Sequence, residues 1–124
     1  HTWISERAIK ASYPQPRSGI ILPHLPDGAL ELDEDALVKM ERGVELPLRR
    51  GDRIAIEVEL SRKHFQRLEE ILPDLLRHYR GVWYFCERKA YDAVVATKQR
   101  LVEGGILTRE QSKLIRVIHL DHER

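Results

Sequence analysis

From Arg53 to Ser61 the chain reads RIAIEVELS, and this run constrains the fold more than any other. Ile54, Ile56, Val58 and Leu60 alternate with Ala55, Glu57, Glu59 and Ser61, a period of two. Successive side chains of a strand point to opposite faces, so the pattern predicts a strand with one apolar face and one face carrying two carboxylates. At a rise of about 3.3 Å per residue, Glu57 and Glu59 project to the same side roughly 7 Å apart. Two like charges that close raise each other's pKa unless a cation sits between them. Hard divalent cations prefer such oxygen ligands and keep waters for chemistry. A solvated strand face with incidental acids is the plain alternative. Asp27 upstream and Lys63 downstream favour a metal site.

Composition narrows the class. The chain has 124 residues, enough for one domain with a real core and too few for two. Apolar residues make up 42% and charged residues 33%, an ordinary globular balance. Twenty-one Lys and Arg against 20 Asp and Glu leave a net charge of +1, so a nucleic acid would be held by local patches rather than by a global field. The single cysteine, Cys86, rules out an internal disulfide framework and a cysteine-based zinc site, and suits a reducing cytoplasm. No apolar run approaches the ~20 residues that span a bilayer, and no signal peptide is visible. Because the chain starts at His1 without Met, it is expected to be a domain taken from a longer protein.

Taken in order, Thr2–Ala11 is expected to be a helix capped by Ser5 or Thr2, closed by the prolines of 13–18. Gly19–Leu22 reads as a short strand and Gly28–Leu32 as a second, with Asp27 at its mouth. Asp33–Leu48 is read either as a short helix through Met40 and Glu41, ended by Gly43, or as a hairpin ending at Pro47. After the Gly51-Asp52 turn and the acidic strand, Arg62–Tyr79 is predicted helical. Phe65, Leu68, Leu72, Leu75 and Tyr79 form its apolar stripe, and a kink or break is expected near Pro73. Gly81–Cys86, apolar on both faces, reads as a central buried strand. Ala90–Glu103 reads as a helix with Tyr91, Val94, Val95, Leu101 and Val102 inward and Gly104-Gly105 as its stop. Leu107–Gln111 reads as a turn or a single helical turn, and Leu114–Leu120 as the last strand. Strand-helix-strand-helix-strand in the second half implies parallel neighbours joined by right-handed crossovers. The expected class is α/β, with a mixed sheet of about five strands and helices on both faces.

An acid at the second strand (Pro26-Asp27) and two on the third (Glu57-Val58-Glu59), within the order helix, three strands, helix, strand, resembles the PD-(D/E)xK nuclease superfamily and its restriction-endonuclease-like three-layer fold. The resemblance spans nearly the whole chain. It implies a Mg²⁺ or Mn²⁺ site in which Asp27 and Glu57 ligate the ion and Glu59 binds metal or positions water. Glu59 departs from the commonest pattern, since it stands where the lysine falls. Lys63, four residues on, is the candidate for the missing positive charge. Glu6 on the first helix is a further candidate ligand. More narrowly, TrpIleSerGluArg, HisLeuProAspGly, IleAlaIleGluValGluLeuSerArgLys and ValTrpTyrPhe together look like the replication-relaxation family of bacterial plasmids and integrative elements. There such a domain follows a winged helix-turn-helix. That resemblance implies processing of plasmid or mobile-element DNA as a nickase or relaxase in the bacterial cytoplasm, with other mobile-element proteins as further partners.

Arg49, Arg50 and Arg53 before the acids, and Arg62, Lys63, His64 and Arg67 after them, are candidate phosphate contacts, with a solvated charged surface as the alternative. His119 and His122 read as terminal decoration, and Trp83, Tyr84 and Phe85 as core. Two functional expectations stand side by side: a metal-dependent DNA endonuclease or nickase, and a catalytically silent domain of the same fold that binds DNA or protein.

Overall fold

A computed structural model of the chain describes residues 1–12, 25–59 and 67–120. Its main sheet has five strands in the order β1 (Thr2–Ser5), β2 (Gly28–Glu31), β5 (Arg53–Glu59), β6 (Gly81–Cys86) and β7 (Ile115–His119). β1, β2 and β5 run antiparallel to their neighbours, while β5, β6 and β7 are parallel. The sheet is therefore mixed, as the sequence order implied. A second, two-stranded sheet is the hairpin β3 (Ala36–Lys39) and β4 (Glu45–Leu48), joined through a 3-10 turn at Glu41–Gly43. Of the two readings of Asp33–Leu48, the hairpin is the one adopted.

The helices are α1 (Glu6–Ser12), α2 (Leu68–His78), α3 (Arg88–Glu103) and the single turn α4 (Arg109–Ser112). The crossovers β5-α2-β6 and β6-α3-β7 step the same way across the sheet, and right-handed crossovers that do so lay both helices on one face. Accordingly Ile9 of α1, Leu68, Leu72 and Leu75 of α2, and Val94 and Leu101 of α3 share one core cluster with Ala55, Val82, Tyr84 and Ile115. The other face is covered by the hairpin: Leu48, with Val38 and Leu46 beside it, packs on Ile54 and Ile56. Trp83 pins this layer by donating its indole N–H to the Lys39 carbonyl at 3.0 Å. Helices on both faces were expected; among the described residues the core-forming helices lie on one face and a β-hairpin on the other.

Several boundaries shift for physical reasons. Thr2–Ser5 is a strand, not the start of the helix, because it pairs with β2 and satisfies its backbone there. Ser5 is nonetheless the cap, its hydroxyl accepting the Ala8 N–H at 3.2 Å. α2 runs through Pro73 as one element rather than two. Leu68, Ile71, Leu72 and Leu75 form its buried stripe. In α3 Val95 is exposed, and Lys98 and Thr97 take the buried positions instead. Gly104 and Gly105 end α3, Gly105 at φ 76°, where a side chain would be strained. α4 is held by a capping box between Thr108 and Gln111. The expected strand at Gly19–Leu22 lies outside the described residues. Among the described residues no helix is long and apolar enough to cross a membrane.

Candidate functional site

β2 and β5 pair from Glu31↔Arg53 to Gly28↔Ile56. One step further the register sets Asp27 opposite Glu57, at the point where the ladder stops. The preceding residue, Pro26, is buried and has no N–H to donate. Here the Asp27 side chain takes over from the backbone: its Oδ2 accepts the Val58 N–H at 2.8 Å. A carboxylate accepting from an amide makes a charge-assisted bond, stronger than the ladder bond it replaces. The bond fixes an exposed acid against the centre of Glu57-Val58-Glu59.

Across the other edge of β5 the parallel register pairs Glu57 with Tyr84 and Glu59 with Cys86. These positions are the C-terminal ends of the parallel strands, the side on which open α/β sheets hold ligands. Glu57 is only 6% exposed, so the alternative of a solvated strand face does not hold for it. β5 is an interior strand, and the helices cover the face that Ala55 and Glu57 share. Glu59, one turn of the pleat further out, is half-buried, and Asp27 is exposed. The acids thus grade from buried to open along the strand ends.

Tyr84 reports their proximity. Its hydroxyl is held well above the ordinary phenol range, first by burial and then by the negative charges of Glu57, Glu59 and Asp27, with Cys86 contributing. Three carboxylates act on one phenol, which keeps its proton and is suited to donating a hydrogen bond rather than attacking as a nucleophile. Reading Tyr84 as core captured its burial and missed this neighbourhood; the pairing of β5 with β6, invisible in local sequence, creates it. Cys86 is pushed up to about 12 by burial and then by Glu59. A buried thiol held protonated is inert.

Glu6 opens α1 directly after Ser5, the partner of Gly28, so its backbone begins one position beyond the pair that adjoins Asp27. Its side chain is exposed. Arg53 is elsewhere: it starts β5, about 13 Å of strand from Glu57, and its Nε donates to Glu31 Oε1 at 3.1 Å. Arg49 and Arg50 lie at that same far end, around the turn before β5. These three arginines therefore do not surround the acids. Arg67 is exposed at the N-terminal boundary of α2. Lys63, Arg62 and His64 lie outside the described residues. His119 stacks at a tilt on Tyr91, ring centroids 5.2 Å apart, at the end of β7, and His122 lies outside the described residues. Among the described residues no three His, Cys, Asp or Glu side chains come together as a group able to hold a metal ion.

The fold and this site define a mixed α/β domain with an acidic edge at the C-terminal ends of its parallel strands. Compared with protein-family models, curated proteins and solved structures, the chain matches none.

Proposed function

We propose that this domain is a Mg²⁺- or Mn²⁺-dependent phosphodiesterase acting on DNA, a nickase or relaxase module for plasmid or mobile-element DNA built on a nuclease-like α/β fold. The observation that carries the reading is the Val58 N–H to Asp27 Oδ2 bond, which holds an exposed carboxylate against the acidic strand end. Hard oxygen donors on neighbouring strands suit Mg²⁺ or Mn²⁺. Asp27 and Glu57 would hold the ion, with Glu59 as third ligand or as the group that orients water, and Glu6 at the rim. A divalent ion there supplies charge neutralisation at a phosphate and acidifies water. Tyr84, which keeps its proton, would act as a hydrogen-bond donor toward these carboxylates. Lys63 is assigned the phosphate charge, and Arg62, His64 and Arg67 the flanking backbone contacts. DNA is the partner, alongside other mobile-element proteins.

A second reading, a silent domain of the same fold that binds DNA or protein, rests on Glu59 standing where the lysine falls and on a net charge of only +1. Cleavage of supercoiled plasmid separates the two. Metal-dependent nicking by the parent, lost in Asp27→Asn and in Glu57→Gln, supports the enzyme. Retention of DNA without nicking in either metal supports the binding module.

A further inference from the structure

At the opposite end of the parallel strands an open cleft of about 520 Å³ lies between the Glu41–Gly43 turn, the second half of α3 and α4. Lys98 lines it and is nearly buried, an uncommon fate for lysine. Its ammonium donates to Glu41 Oε1 at 3.1 Å and to the Ile115 carbonyl at 2.6 Å. An ammonium has three protons, and these two bonds use two of them. Burial, and more weakly the charge of Arg42, hold the Lys98 pKa below its ordinary value, while Glu41 works the other way. Four cations, Arg42, Lys98, Arg109 and Lys113, line the cleft beside two acids, Glu41 and Glu103.

Arg42 and Arg109 line the same cleft, and among the described residues neither guanidinium has a carboxylate partner. Arg42 sits at φ 55°, ψ 36°, in the left-handed region, immediately before Gly43 at φ 73°. A turn with two successive positive φ values favours Asn or Gly at both, and a long side chain there is strained. Its backbone gains nothing from arginine, so the guanidinium is what that position supplies. Lys113 completes the rim, its ammonium 3.4 Å from Glu110 Oε1.

The geometry points to a second binding site in this cleft for a compact phosphate-type oxyanion, gripped by Arg42 and Arg109 over the Lys98 ammonium. Arginine forks match phosphate oxygens in pairs, and an anion between the guanidiniums relieves the crowding of like charges. Glu41 and Glu103 also line the cleft and make it a poor track for an extended polyanion. A free phosphate or a small phosphomonoester fits this chemistry; both carry the same group. The site is remote from Asp27 and Glu57 and stands whether or not the acidic edge is catalytic.

The test is calorimetric titration of the full chain with inorganic phosphate and with ribose 5-phosphate, in parallel with Arg42→Gly and Arg109→Gln. Saturable one-to-one binding is expected, weakened at least tenfold in each variant, and tighter binding of one probe identifies the source. Arg42→Gly removes the guanidinium while easing the backbone, so its melting temperature should rise even as affinity falls. No saturable binding of either probe, or equal affinity in the variants, overturns the proposal. So does a DNA duplex that binds through the same two arginines more tightly than either probe.

Discussion

The Asp27 carboxylate stands in for a backbone carbonyl, accepting the Val58 amide at 2.8 Å where the β2–β5 ladder ends. One acid thereby closes the sheet and borders Glu57 and Glu59. Structure and chemistry can be separated at this position because asparagine retains an acceptor oxygen and alanine does not. Asp27→Ala should cost about 1 kcal/mol in denaturant unfolding, the net worth of one hydrogen bond. Asp27→Asn, which keeps an acceptor and loses the charge assistance, should cost roughly half as much. An equal loss in both would mean that the charge, not the bond, holds the strand end.

The acidic strand was legible from its alternation, and so were the parallel half, the buried aromatic strand and the glycine stop of α3. What alternation did not carry was burial. The alternation put Glu57 on the carboxylate face without saying whether that face is covered, and β5 lies inside the sheet with helices over one side and the hairpin over the other. Thr2–Ser5 is four residues of edge strand, too short for a period to register, and its pairing with Gly28–Glu31 is a long-range fact. Both core helices on one face follow from the strand order, which sequence does not state. The Lys98–Glu41 pair joins residues 57 apart in sequence. Its one local signal was the position of Lys98 on the apolar stripe of α3, four residues after Val94 and three before Leu101. The acids at 27, 57 and 59 come near one another in the fold because the strands Gly28–Glu31 and Arg53–Glu59, both read from the sequence, pair side by side. The environment that grades them from buried to exposed comes from packing.

Lys98 and Glu41 form a largely buried ion pair that ties the hairpin turn to α3 and the start of β7. Removing Lys98 leaves Glu41 without its cation and the Ile115 carbonyl without its donor. Lys98→Ala should destabilise the chain by about 3 kcal/mol, and the double change Lys98→Met with Glu41→Leu should recover much of that loss. Chemical denaturation of the single and double variants gives the coupling directly.

Gly81 opens β6 with no room for a methyl group. An added Cβ would run into the Met40 side-chain methyl and come within 3.2 Å of both Ile54 Cδ1 and the Leu114 carbonyl oxygen. The carbonyl belongs to the backbone and yields least. Gly81→Ala should cost about 1–3 kcal/mol by overpacking, read from the shift in the urea midpoint.

Cys86 makes stability depend on alkaline pH. Burial, and then the charge of Glu59, push its thiol from an ordinary 9.0 up to about 12 in the fold. Between those values the unfolded chain has lost a proton that the folded chain keeps, so stability falls as pH rises. The contribution is intact below about pH 9 and gone above about pH 12. Tyr84, also raised, acts in the same direction, while Lys98, lowered from 10.5, acts against it. Unfolding followed from pH 8 to pH 11 should therefore show a smaller decline in Cys86→Ala than in the parent. The native thiol should also resist alkylation at pH 8 until the chain is unfolded.

The central claim is that Asp27 and Glu57 hold a divalent ion, and titration of the chain with Mn²⁺ tests it most directly. Calorimetry should show saturable binding that weakens at least tenfold in Asp27→Asn and in Glu57→Gln, both checked by unfolding to be intact. Absence of binding, or binding that both variants retain, would contradict the metal site and leave the domain as a binding module.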